Sequence, residues 1–137
     1  GAHGSLNATG AIRHSCNCFF YELGYRMSMV DGMYSEQEGI DVIGKYAAMF
    51  GLSDPSGVEL SEYSPKMSDE YPILTAIGQG NSNYTTSQLA RYVTTIANRG
   101  TCYNLTLIDK ITDSNGTVVR DNHAEIRING CYQHKTG

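Results

Sequence analysis

The sequence predicts an α+β fold, mainly helical, with a β-hairpin near the C-terminus. Two observations carry most of this. Three stretches within the first hundred residues repeat apolar side chains at helical spacing between recognisable caps. Past Gly100, "CYNLTLIDKI" reads as a strand, and "DSNGTVV" places an Asn-Gly pair where a two-residue hairpin turn would sit. A third observation bounds the answer. Of 137 residues, 40% are hydrophobic and 18% charged, which suffices for a folded chain with a modest core.

The first helix opens at Asn7, a good N-cap, and Ala8, Ala11 and Ile12 set one apolar face. At "HSCN" four consecutive weak helix formers interrupt the pattern. It resumes at Phe19, Phe20 and Leu23 and ends at Gly24. This predicts two helices, 8–14 and 17–23, joined by a tight break at Ser15–Asn17; one continuous helix is the alternative. Residues 24–34 read as a loop. Ser35 and Glu38 form an S-x-x-E capping box for a helix whose face is Ile40, Ile43, Ala47 and Phe50 and whose stop is Gly51, with Leu52 just beyond. Residues 53–84 are irregular apart from the apolar run "PILTAIGQG" at 72–80, and a loop of that length is usually functional. Thr85 or Thr86 caps a third helix, with Gln88 placed for a capping box and Leu89, Val93 and Ile96 as its expected buried stripe before Gly100. Val118 and Val119 begin the return strand of the hairpin, and one more strand is expected around Ala124–Ile128.

Composition excludes several functions. The net charge is −4 and no basic patch is present, so nucleic acid is not an expected partner. No apolar run approaches the roughly 20 residues of a bilayer span. The start, "GAHGSLN", lacks a basic region followed by an apolar one, so no secretory leader is expected. Cys16, Cys18, Cys102 and Cys131, with His3, His14, His123 and His134, do not have zinc-ligand spacing. No metal and no cofactor are therefore expected, and the cysteines read as small, semi-buried apolar residues.

The segments together resemble a known family. "AIRHSCNCFFYELGYRM" is similar to the stretch around the S-x-N motif of penicillin-binding transpeptidases, especially the class B enzymes. "GIDVIGKYAAMFGLSDPSGVEL", "AIGQGNSNYTTSQLARYVTTIANRGT" and "LIDKITDSNGTVV" resemble the family's segments beyond that motif, in the same order. S-x-N alone is a weak signal; four linked segments in order are specific. The resemblance implies a penicillin-binding/β-lactamase-like transpeptidase fold, here a single partial domain over 1–137, with a helical region at 1–100 and the hairpin and C-terminal segment at 101–137.

It also implies a chemistry. The family's motifs are S-x-x-K, S-x-N and K-T-G. The first serine attacks the D-Ala–D-Ala bond of a peptidoglycan stem peptide and is acylated; β-lactams mimic that substrate. Ser15 would then be the proton-relay serine and Asn17 the substrate-orienting asparagine. Lys135, Thr136 and Gly137 match the K-T-G tripeptide that binds the substrate backbone, although only about 15 residues separate them from Val119, and "CYQH" precedes them where the family has a small apolar run. Ser15 and Asn17 could equally cap the second helix, and the two roles are compatible. No S-x-x-K occurs: the lysines are Lys45, Lys66, Lys110 and Lys135, preceded three residues earlier by Val42, Tyr63, Leu107 and Tyr132. The expectation is a fragment, inactive alone, of an enzyme anchored in the cell membrane and working on its extracytoplasmic face. A fragment would leave apolar faces uncovered and prone to self-association. A binding module or a β-lactam sensor of the same fold is the alternative.

Overall fold

The computed structural model describes residues 3–128. The chain gathers into two compact units, Gly1–Tyr46 with Lys66–Asn83, and Ala47–Pro65 with Tyr84–Gly137.

The first unit opens with two helices, α1 (Ala8–Arg13) and α2 (Asn17–Met27). Asn7 caps α1, its Oδ1 accepting from Gly10 N–H at 2.9 Å. The break between them lies where the weak helix formers put it, and the continuous helix does not form. α2 runs past Gly24 to Met27, so this glycine is no terminator. It is a packing position: a Cβ there would lie 2.9 Å from Ile73 Cα and 3.1 Å from Pro72 O. Pro72 opens the short helix α4 (Pro72–Thr75) and is fully buried.

The loop expected at 24–34 is a small hairpin, β1 (Met29–Val30) against β2 (Met33–Tyr34). Asp31 and Gly32 turn it with φ of 50° and 80°, the two left-handed residues of a type I′ turn. α3 (Glu36–Met49) follows, with Glu38 N–H donating to Ser35 Oγ at 3.3 Å. Ile40 is buried and Ile43 half-buried. Gly39 faces Pro72, where a Cβ would come within 2.8 Å of the proline Cβ. The unit therefore closes by setting glycines against a proline, which lets backbones approach where side chains could not.

In the second unit, α3 ends in paired closing bonds, Leu52 N–H to Ala47 O at 3.0 Å and Gly51 N–H to Ala48 O at 2.9 Å, with Gly51 at φ 83°. This is the Schellman stop that the Gly51–Leu52 pair predicts. α5 (Thr86–Ala97) begins with the full capping box between Thr85 and Gln88. Its buried face is not the predicted one. Leu89, Val93 and Ile96 are 45%, 60% and 52% exposed, while Gln88, Arg91 and Thr95 are fully buried. Periodicity identifies residues that share a face; it does not say which face is covered. The polar residues also share one, and each finds a backbone acceptor: Gln88 Nε2 donates to Tyr63 O at 2.8 Å, Thr95 Oγ1 to Arg91 O at 2.8 Å, and Arg91 Nη2 to Gly51 O and, at 2.7 Å, to Asp54 O.

The long strand expected from Cys102 is interrupted. β3 (Cys102–Tyr103) pairs antiparallel with β6 (Ile126–Ile128), and β4 (Lys110–Thr112) with β5 (Val118–Asp121). Between β3 and β4 the backbone bonds elsewhere: Leu105 N–H reaches Ser56 O, and Leu107 N–H reaches a Glu59 carboxylate oxygen, both at 2.9 Å. The β4–β5 turn holds three residues, Ser114 to Gly116, and not two. Gly116 takes φ 85°, while Asn115 is not left-handed as a type I′ turn would require. Asp113 N–H bonds Thr117 O, and Asp113 Oδ1 accepts from Asn115 and Thr117 N–H at 2.8 and 2.9 Å, which fixes the wider turn. β6 lies within the expected Ala124–Ile128 strand. Among the described residues, no helix is long and apolar enough to cross a membrane.

Candidate active site

The candidate site is the α1–α2 break. α1 closes with Cys16 N–H to Ala11 O at 2.9 Å and Ser15 N–H to Ile12 O at 3.1 Å. This is a second Schellman motif, with Ser15 in the position that glycine usually fills. Ser15 has φ 47°, a left-handed conformation that costs a side-chain-bearing residue on the order of 1 kcal/mol. Cys16 and Ala11, the two residues such a motif pairs through an apolar contact, are 9% and 0% exposed. The chain is thereby pinned at Cys16, and Ser15 and Asn17 on either side are exposed.

Capping does not account for the two polar residues. The N-cap of α2 is Cys16, which makes no side-chain cap bond, and Asn17 is already the first helical residue. Among the described residues, neither the Ser15 nor the Asn17 side chain has a hydrogen-bond partner. A hydroxyl and a carboxamide without internal partners can donate to and accept from a ligand. Lys135, Thr136 and Gly137 lie outside the described residues. Among the described residues, no group of three His, Cys, Asp or Glu side chains converges to hold a metal ion.

The sequence marks 53–84 as an irregular stretch of a length that is usually functional, without naming residues in it. In the first unit this region is tied down. Lys66 and Asn83 exchange backbone hydrogen bonds, both 2.8 Å. Asn81 Nδ2 donates to Asp69 Oδ1 at 2.5 Å and to Glu70 Oε1 at 2.9 Å. The Asn81 bond, with help from Lys66 at 3.7 Å, holds the Asp69 carboxyl below the usual carboxylate range. In the second unit the corresponding anchor is Glu62. It accepts from Ser56 N–H at 2.6 Å, Ser56 Oγ at 3.0 Å, Thr85 Oγ1 at 2.6 Å and Ser87 Oγ. Burial pushes this carboxyl up, but the hydrogen bonds from Ser87, Thr85 and Ser56 outweigh it and the net displacement is downward. The signal available in the sequence is an acid among serines, which is too common to use.

The fold and the S-x-N break define a class. The family described as the penicillin-binding protein transpeptidase domain matches residues 2–135, and the chain belongs to it. The α+β transpeptidase fold expected from the sequence is thus borne out. Among curated proteins, the chain is similar to the peptidoglycan D,D-transpeptidase MrdA of two Salmonella typhimurium strains, SL1344 and LT2. Each is 37% identical over 60 residues, 44% of this chain and 8% of the relative. Among solved structures, it is similar to penicillin-binding protein 2B of Streptococcus pneumoniae strain R6, with TM-score 0.74 and 22% identity over 90% of this chain and 22% of that one. The same protein from strain 5204 gives TM-score 0.70 at 22% identity. The chain spans less than a tenth of the curated relatives' length and about a fifth of the structural ones'.

Proposed function

We propose that this chain is the S-x-N-bearing part of a peptidoglycan D,D-transpeptidase that cross-links stem peptides through a serine acyl-enzyme and is acylated by β-lactams. The observation that supports this best is the α1–α2 break. Two exposed polar side chains flank a buried residue, in a family whose chemistry needs a hydroxyl and a carboxamide there.

The roles follow from the chemistry. The family's nucleophilic serine adds to the penultimate D-Ala carbonyl, and its proton passes to the neighbouring lysine. The C–N bond breaks, the serine ester remains, and terminal D-Ala leaves once its nitrogen is protonated. Ser15 relays that proton. Asn17 hydrogen-bonds the substrate amide and holds the carbonyl in line. An acceptor amine then attacks the ester. No S-x-x-K is present in this sequence, so its residues orient and relay but do not form the ester. Lys135, Thr136 and Gly137 match the tripeptide that binds the substrate backbone. The parent enzyme would be membrane-anchored and act on the extracytoplasmic face.

The test uses fluorescent penicillin and intact mass. The isolated chain is expected to carry no adduct; a stoichiometric one would contradict the assignment. In the full-length protein, Asn17→Ala should slow acylation by roughly two orders of magnitude, the scale of losing one orienting group, with an unchanged melting temperature. An unchanged acylation rate would remove Asn17 from the site.

A further inference from the structure

Tyr71 stands just before Pro72 with φ 57° and ψ 62°. A tyrosine in the left-handed region is strained, and a following proline pushes the residue before it toward extended backbone. Such a conformation persists only where its surroundings over-determine it. Here they do. Upstream, Asn81 ties down Asp69 and Glu70. Downstream, Thr75 N–H donates to Tyr71 O at 2.8 Å, and Thr75 Oγ1 to Glu70 O at 3.3 Å. From outside the loop comes Glu36, the first residue of α3, whose Oε1 accepts from Tyr71 N–H at 2.8 Å.

The strained turn delivers Pro72 to the point where three helices of the first unit meet. Its ring faces Gly39 of α3, and its carbonyl, with Ile73, faces Gly24 of α2; neither glycine has room for a Cβ. Ser28 Oγ, fully buried, lies against Gly39 and donates to Gly24 O at 2.9 Å. α4 thus packs on α2, the helix whose first residue is Asn17. If Tyr71 relaxed to extended backbone, Pro72 would leave this point and α2 would lose the element it rests on. We propose that Glu36 is a positioning residue for the transpeptidase site. By holding Tyr71 left-handed, it keeps Pro72 wedged between α2 and α3 and fixes the direction of α2, and so of Asn17 at its start. This rests on the transpeptidase reading and deepens it: Glu36 acts through the helix that carries Asn17. A misdirected carboxamide costs rate more than affinity, because orientation counts most as the carbonyl is attacked.

The experiment follows acylation of the full-length protein by benzylpenicillin, well below its melting temperature, and separates the rate constant at saturation from the half-saturating concentration. Glu36 is exposed, so Glu36→Ala opens no cavity. It should lower the saturating rate about tenfold, the scale of a displacement under 1 Å at an orienting group, and leave the half-saturating concentration nearly unchanged. A purely structural role would lower the melting temperature and leave the saturating rate of the folded protein as it was. Glu36→Gln keeps an oxygen that accepts from Tyr71 N–H and should react like wild type. The decisive variant combines Glu36→Ala with Tyr71→Gly. Glycine takes the left-handed conformation without strain, so the clamp becomes dispensable and the rate should return. A wild-type rate in Glu36→Ala, an equal loss in Glu36→Gln, or no recovery in the double variant overturns the proposal and leaves the transpeptidase reading intact. If benzylpenicillin does not acylate the wild-type protein, both fall.

Discussion

Glu62 accepts four hydrogen bonds from three residues, and its carboxyl lies below the usual carboxylate range in the folded chain. The direction of the pH effect is set by that displacement. The unfolded chain takes up this proton first as pH falls, so Glu62 contributes its full stability above the unfolded carboxylate value, near pH 4.3. That contribution fades as pH drops through the lower folded value. Urea midpoints measured between pH 3 and 6 should decline with acid in wild type and decline less steeply in Glu62→Gln. Equal slopes would count against it. Glu59 and Asp69 are displaced in the same direction, so a residual slope should remain in the variant. None of this is legible in the sequence, because it depends on which donors the loop brings to one carboxylate. Ser15 and Asn17 are legible as a candidate pair through the S-x-N pattern, whereas the left-handed backbone at Ser15 is not. Two neighbouring residues break local rules there, a serine where glycine usually closes a helix and a cysteine where Ser or Asp usually caps one. Such violations concentrate at functional sites.

At the scale of elements, helices with strong end signals are legible. The Thr85–Gln88 capping box and the Gly51 stop stand where their residues predict. Gly24 and the loop at 24–34 depart from expectation for one reason: glycine signals permission, and tertiary packing decides its use. Gly24 permits close approach to α4, and Gly32 permits a hairpin turn. Two glycine-to-alanine changes separate these uses from simple helix propensity. Gly44 lies within α3 with nothing within 4 Å of a Cβ, so Gly44→Ala should stabilise by up to about 1 kcal/mol. Gly24→Ala gains the same propensity but drives its methyl into the Ile73 and Pro72 backbone, and should destabilise by about 1–3 kcal/mol. Opposite signs in urea unfolding are the expected result. A stabilised Gly24→Ala would mean that α2 and α4 do not pack as described.

For the whole molecule, the exposed apolar residues are the dominant feature. Leu89, Val93 and Ile96 form an exposed stripe on α5, and Ile12, Met33, Leu60 and Val119 are each more than half exposed. A chain covering about a fifth of its structural relatives would leave such faces bare. The isolated chain should therefore self-associate with rising concentration in sedimentation velocity, and Val93→Lys should weaken that association. A monodisperse monomer at high concentration would contradict this. The sequence foretells bare apolar surface but misplaces it on α5, because hydrophobic period is silent about what a partner element covers. The two compact units have a further consequence for synthesis. Residues 47–65 belong to the second unit yet precede residues 66–83, which complete the first. As the chain emerges N-terminus first, 47–65 must wait as a spacer while the first unit closes, and no single cleavage of the chain yields both units whole.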